Sequence, residues 1–287
     1  MSMPALVPIQ NDNLEEFSEF LHQHLNPQIP VEGWVQAFRV NWITDRPNYG
    51  FLLRDDNGRV VGGIGAIYSQ QVIRGRPERF CNISSWCVLE DYRSQSMRLA
   101  MAVVSQEGYH FTDLTPTTVV ADSLRFLKFK PLDSDRTVLF NLPWPAFGIS
   151  DVRVLTNPEE IESALPDASA RVFHDNSGFP WLSSVAVGRP GAFCAVLFRR
   201  GILKRLPSAD IIWLSDPDLF VRYFRILGNY LLFRLGMVTT RVESRFLAET
   251  PLLSTRLTGY KQKMYRSETL QDSDVTNLYS ELVCLDL

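Results

Sequence analysis

The apolar positions change period several times along the first half of the chain. From Leu14 the residues Leu14, Phe17, Phe20 and Leu21 recur at three-and-four spacing, the signature of one helix face, and Asn13 stands before them as an N-cap. A second helix is expected over Val31 to Trp42, after Pro30. The pattern then breaks into short apolar runs. GFLLR and RVVGGIGAIYSQQV flank DDNG, a strong turn signal, so residues 50–72 read as a hairpin. Gly62, Gly63 and Gly65 weaken its second strand, and in a strand such glycines mark a bulge or a close approach by another backbone. Arg79 to Leu89 reads as a third strand. A helix from about Ser96 to Glu107 follows, closed by Gly108. HFTDLTPT then reads as a short strand, TVVADSLRFLKF as a helix and RTVLFNL as a strand.

Near Pro143 to Pro145 the pattern pauses and restarts. FCAVLFRRGILKRL reads as a hairpin with Arg199-Arg200 at its tip, and DIIWLS as a strand. DPDLFVRYFRILGNYLLFRLG is a long helix ended by Gly236, and VTTRVESRF alternates as a strand. A helical stretch to Gly259 and a closing strand in NLYSELVCLDL complete the reading. The order hairpin, strand, helix, strand, helix, strand thus occurs twice, without a residue-level repeat. This predicts a mixed α/β sheet architecture in two halves, residues 1–147 and 148–287.

Composition changes this picture little. Of 287 residues, 45% are hydrophobic and 21% charged, an ordinary globular balance. The net charge of −3 offers no basic field for nucleic acid or an anionic membrane. The apolar run Leu219 to Val238 is interrupted by Arg222, Arg225 and Arg234, each costly in a bilayer, so a soluble helix is expected there. The start MSMPALVPIQNDN has neither the basic nor the apolar segment of a signal peptide. Of the four cysteines, Cys81 and Cys87 share one strand roughly 20 Å apart, too far to bridge. No CxxC or HxxxH spacing suggests a metal, and free core thiols suit the reducing cytoplasm.

The candidate chemistry lies at residues 86–98. Trp86-Cys87-Val88-Leu89 ends a strand, Glu90-Asp91-Tyr92 follows, and Arg93-Ser94-Gln95-Ser96-Met97-Arg98 opens a helix. Helix starts expose unpaired N–H groups and a partial positive charge, which suit an anion. Serine is the next smallest residue after glycine, and Ser94 and Ser96 add hydroxyls while Arg93 and Arg98 add charge. The stretch resembles the GNAT superfamily of acyl-CoA N-acyltransferases, whose members carry R-G-x-G-x-G/A here; the three glycines fall on Ser94, Ser96 and Arg98. A second landmark of that family, N-x-x-A-x-x-x-Y-x-x-x-G-F, falls on Thr117, Val120, Leu124 and Lys128-Phe129, and Gly259-Tyr260 fits its last pair better in the second half.

The resemblance implies an acyl-CoA N-acyltransferase fold in two tandem GNAT-like halves, with acetyl-CoA or another acyl-CoA as a substrate and no metal. It implies contacts to that substrate from Trp86, Val88, Arg93, Ser94, Gln95, Ser96, Met97 and Arg98. It also implies a small-molecule amine acceptor, with no nucleic acid or membrane partner, in a monomer or homodimer. Ligands of open α/β sheets sit at the carboxyl ends of strands, which favours Asp113, Thr115 and Thr117 as catalytic candidates over His110. Asp113 is the expected general base. Leu124 stands where the family's thiolate-protonating tyrosine would be. That leaves a rival reading, a catalytically inactive acyl-CoA-binding or partner module. In the second half the matching turn carries Asp216, Pro217 and Asp218, good for a helix start but repulsive to a pyrophosphate, so one acyl-CoA site is expected, in the first half.

Overall fold

A computed structural model describes residues 3–145, 151–247, 249, 251, 253–259 and 261–287. The expected boundary between residues 147 and 148 lies outside them, as does Tyr260. The chain begins with β1 (Ala5–Pro8), α1 (Leu14–His24), α2 (Val31–Arg39), β2 (Gly50–Arg54), β3 (Val60–Ile73) and β4 (Arg76–Val88). It continues through α3 (Ser96–Val104), β5 (His110–Asp113), α4 (Thr118–Phe126) and β6 (Lys130–Leu132). Next come β7 (Arg136–Phe140), β8 (Arg153–Leu155), α5 (Pro158–Ala164), α6 (Asp167–Ser177), β9 (Leu182–Arg189), β10 (Ala192–Leu203) and β11 (Leu206–Leu214). The rest is α7 (Pro217–Leu235), β12 (Thr239–Glu243), β13 (Ser254–Leu257), β14 (Lys263–Arg266) and α8 (Glu281–Cys284).

Two seven-stranded sheets result, ordered β1-β2-β3-β4-β5-β14-β6 and β8-β9-β10-β11-β12-β7-β13. Their pairing patterns match step for step. Neighbours are antiparallel except β4 with β5 in one sheet and β11 with β12 in the other, which are parallel. A helix, α3 or α7, makes each parallel crossover, as parallel pairing requires. The sixth strand of each sheet is exchanged. β7 leaves the first unit to sit between β12 and β13, and β14 returns to sit between β5 and β6. The compact units are therefore discontinuous, Met1–Leu132 with Lys261–Val275 and Tyr279–Leu287, and Asp133–Tyr260 with Thr276–Leu278.

In the first unit, DDNG turns the β2–β3 hairpin as its sequence dictates. The β3 glycines sit at a register irregularity between Gly63 and Gly65, as expected, and also answer to side chains. A Cβ on Gly63 would lie 2.5 Å from the Phe17 ring of α1, and one on Gly65 2.3 Å from the Phe38 ring of α2. The opposite packing surface of this sheet gathers Ile64, Ile83, Leu99, Val103, Phe111, Ala121 and Leu124 into one core. In the second unit α7 buries Phe220, Tyr223, Phe224, Leu227 and Leu231, while Arg222, Arg225 and Arg234 face outwards. Asp216 caps α7 by accepting from the Leu219 N–H at 2.8 Å, and Gly236 ends it in the left-handed region. Among the described residues no helix is long and apolar enough to cross a membrane.

Some expectations are corrected. The stretch before Gly259 is a strand, β13, because it lines the free side of β7. NLYSELVCLDL holds the short helix α8 in place of a strand, and the late strand is β14, hidden in the sequence by the lysine that starts it. Arg199 and Arg200 lie inside β10, paired opposite Asp210 and Ala209; the turn falls on Lys204 and Arg205, both at positive φ. His174 sits on α6 beside Glu162 at 3.2 Å. The helices α5 and α6 gave no sequence reading at all.

Candidate functional site: a strand splay in the first unit

The parallel pairing of β4 and β5 is brief. It runs over Phe80–His110, Cys81–Phe111 and Asn82–Thr112 and then stops. β4 continues through Ile83 to Val88, held on its other side by β3. A bulge near Ser85 adds one residue to β4 against β3, and Ser85 takes a φ of 57°, rare for a residue with a Cβ. Bulges re-aim a strand. β5 itself ends one residue later, at Asp113, so the two strands part there and the β4 edge has no strand partner from Ile83 onwards among the described residues. Trp86 lies on this stretch, packed against the core, and its Nε1 is buried with no hydrogen-bond partner.

The turn after β4 departs from an open anion cradle. Glu90–Gln95 forms a 3-10 helix that runs straight into α3, and the Ser96 N–H donates to the Arg93 carbonyl. The amides of Ser94, Gln95 and Ser96 thus lie inside a continuous helical run, and the free start moves to Glu90 and Asp91. Arg93 pairs with Glu90 at 2.8 Å on the surface. Arg98 donates to the Pro4 carbonyl at 2.9 Å and to Gln95 at 3.2 Å. Ser94 is exposed, Ser96 half-buried, and Met97 packs against the core beside Trp86 and Val88. Cys87 is no ready nucleophile, since burial pushes its thiol up and only Arg93 opposes that.

At the end of β5 the three catalytic candidates part company. Thr117 is the N-cap of α4, its hydroxyl accepting from the Val120 N–H at 3.3 Å. Asp113 is buried, and its Oδ1 accepts from the Thr115 N–H at 3.3 Å. Thr115 is half-buried, and its hydroxyl donates to Oε1 of Glu281 at 2.9 Å. Glu281 is the residue that the sequence reading missed. It belongs to α8 and is 1% exposed; its Oε1 also accepts from the Leu114 N–H at 3.2 Å. Its own N–H donates to Asn82 Oδ1 at 3.1 Å, and Asn82 Nδ2 donates to Thr112 Oγ1 at 3.1 Å. The last paired residues of the splay are thereby tied to the chain's final helix. Burial and the Glu281 charge hold the Asp113 carboxyl well above the usual carboxylate range, and burial raises Glu281 against the pull of Thr115, Asn82 and Lys263. His110, at the far end of β5, bonds Glu78 and Ser267 at 3.1 and 2.9 Å. Leu124 is fully buried.

No known family pattern matches the chain, and no curated protein matches it. Solved structures do. A GCN5-related N-acetyltransferase from Anabaena variabilis superposes with a TM-score of 0.61 at 12% identity, over 91% of this chain and 72% of that one. A probable N-acyltransferase from Enterococcus faecalis gives 0.62 at 12%, over 95% and 74%. A GCN5-related N-acetyltransferase from Kribbella flavida gives 0.58 at 14%, over 91% and 70%. The fold is GNAT-like. Both sheets carry it, each with its own parallel step and crossover helix. Among the described residues no cluster of three or more His, Cys, Asp or Glu could hold a metal ion.

Proposed function

We propose that the first unit takes an acyl-CoA, acetyl-CoA in the simplest case, into the β4–β5 splay and transfers its acyl group to the amine of a small acceptor. The observation that carries this reading is the splay itself, the β4 edge left without a strand partner beyond Asn82, with the Ser85 bulge on it. An amide-bearing pantetheine arm needs an unpaired strand edge, and β4 offers one at Trp86 and Val88. The orphaned Trp86 Nε1 fits as a further donor to a bound ligand. In the reaction the amine nitrogen attacks the thioester carbonyl, the C–S bond breaks, and the CoA thiolate leaves. The chain would have to accept the amine proton and supply donors to the transient oxyanion.

A second reading has its own support. The 3-10 turn at Glu90–Gln95 gives a pyrophosphate fewer free amides than an open glycine loop, and no tyrosine stands at position 124. Both features favour a module that binds acyl-CoA without turning it over. Release of free thiol from acetyl-CoA in the presence of a panel of primary amines separates the two. The transferase reading expects amine-dependent release. Binding without release for every amine would favour the module. A cytoplasmic monomer or homodimer working without metal completes the proposal.

A further inference from the structure

The Asp113–Glu281 pair poses a problem of charge. Both carboxyls are buried, at 5% and 1% exposure, at the carboxyl end of β5. The Glu281 charge acts on Asp113, yet two ionised carboxylates are both acceptors and cannot bond each other. Oε1 of Glu281 is satisfied by the Leu114 N–H and the Thr115 hydroxyl, whereas Oε2 is buried with no partner. A buried carboxylate oxygen left so is costly. Lys263 on β14 is buried and acts on Glu281 as the positive charge from that side, while β4 contributes only the neutral Asn82. One lysine balances one carboxylate, not two. A single proton held by the two carboxyls leaves the group neutral overall.

We propose that Asp113 and Glu281 share one proton and that the half-buried Thr115 hydroxyl connects this pair to the acceptor amine, so that Glu281 takes up the proton released on acyl transfer. This rests on the acyl-transfer reading above. The proton path balances: the amine N–H proton passes to Thr115 Oγ1 as the Thr115 proton passes to Glu281 Oε1 along the existing 2.9 Å bond. Thr115 is the residue that touches the amine. Glu281 acts through it, and Asp113 keeps the pair's total charge at minus one before the transfer and zero after it.

The test has two independent readouts on the full chain. Carboxyl carbon NMR of the ¹³C-labelled protein, titrated through neutral pH, reads the shared proton without any turnover. The expected result is one protonated carboxyl at neutral pH, lost when Glu281→Gln removes the pair. Two fully ionised carboxylates at neutral pH would overturn the proposal. Kinetics with acetyl-CoA and the best amine of the panel reads the path. Glu281→Gln and Thr115→Val are each expected to lower kcat about a hundredfold with KM little changed and the pH–rate profile altered, and Thr115→Ser to restore both. Thermal melts check that the variants fold. Wild-type kcat and an unshifted profile in Glu281→Gln would sink the path. A wild-type chain that releases no thiol contradicts the transferase reading instead, and the NMR then decides the shared proton alone.

Discussion

Asp113 shows how far a single residue can be read. Its sequence setting, at the end of a short strand before a proline, marks a general base or a turn-forming aspartate equally well, and the Thr115 N–H bond makes the turn real. Its partner was unreadable, because 167 positions separate Leu114 from the Glu281 that caps it. The pair has a consequence for stability. Both carboxyls are raised in the folded state, so folding takes up protons as pH falls. The stabilisation they give is complete below their unfolded values, about pH 4, and is lost as pH rises through the folded values. Asp113→Asn removes the like charge. Urea unfolding at pH 5 and pH 9 is expected to show the variant gaining on wild type at the higher pH. A gap that is constant or that narrows with pH would contradict the charge assignment.

At the scale of elements, legibility followed local signals. DDNG, Asp216-Pro217 and Gly236 fix a turn, a helix start and a helix end within a few residues, and each was found where expected. β13 and β14 have four residues each and no alternation long enough to register, so only pairing across the sheet makes them strands. The 3-10 turn at Glu90–Gln95 is likewise a tertiary outcome, since its residues suit an open loop as well. The irregularity at the β3 glycines was expected but their packing was not, because it lies in the rings of Phe17 and Phe38 on distant helices. Gly63→Ala must displace the Phe17 ring and is expected to cost about 1–3 kcal/mol. Gly178 ends α6 at a φ of −77° with nothing within 4 Å of a new Cβ. Gly178→Ala is therefore expected to stay within about 0.5 kcal/mol of wild type. Denaturant midpoints of the two variants check the contrast, and equal midpoints would remove the packing argument.

At the scale of the whole molecule, the repeat of element order was visible in the sequence but the strand exchange was not. Residues 1–147, proposed as a domain, carry β7 but lack β14, which buries Met264 and Tyr265 between β5 and β6. They also lack Glu281. With net stability of about 5–15 kcal/mol, such a fragment is expected to be insoluble or to unfold without cooperativity. A soluble fragment with a sharp urea transition would show instead that Arg136–Phe140 can fill the vacant place.

The central claim is that acyl-CoA occupies the splay of the first unit and not its counterpart in the second. Hydrogen exchange of the full chain with and without saturating acetyl-CoA tests it most directly. The splay predicts slowed exchange at amides of residues 83–98, with residues 214–219 unchanged because Asp216 and Asp218 repel the phosphates. No protection anywhere, or protection confined to 214–219, would contradict it.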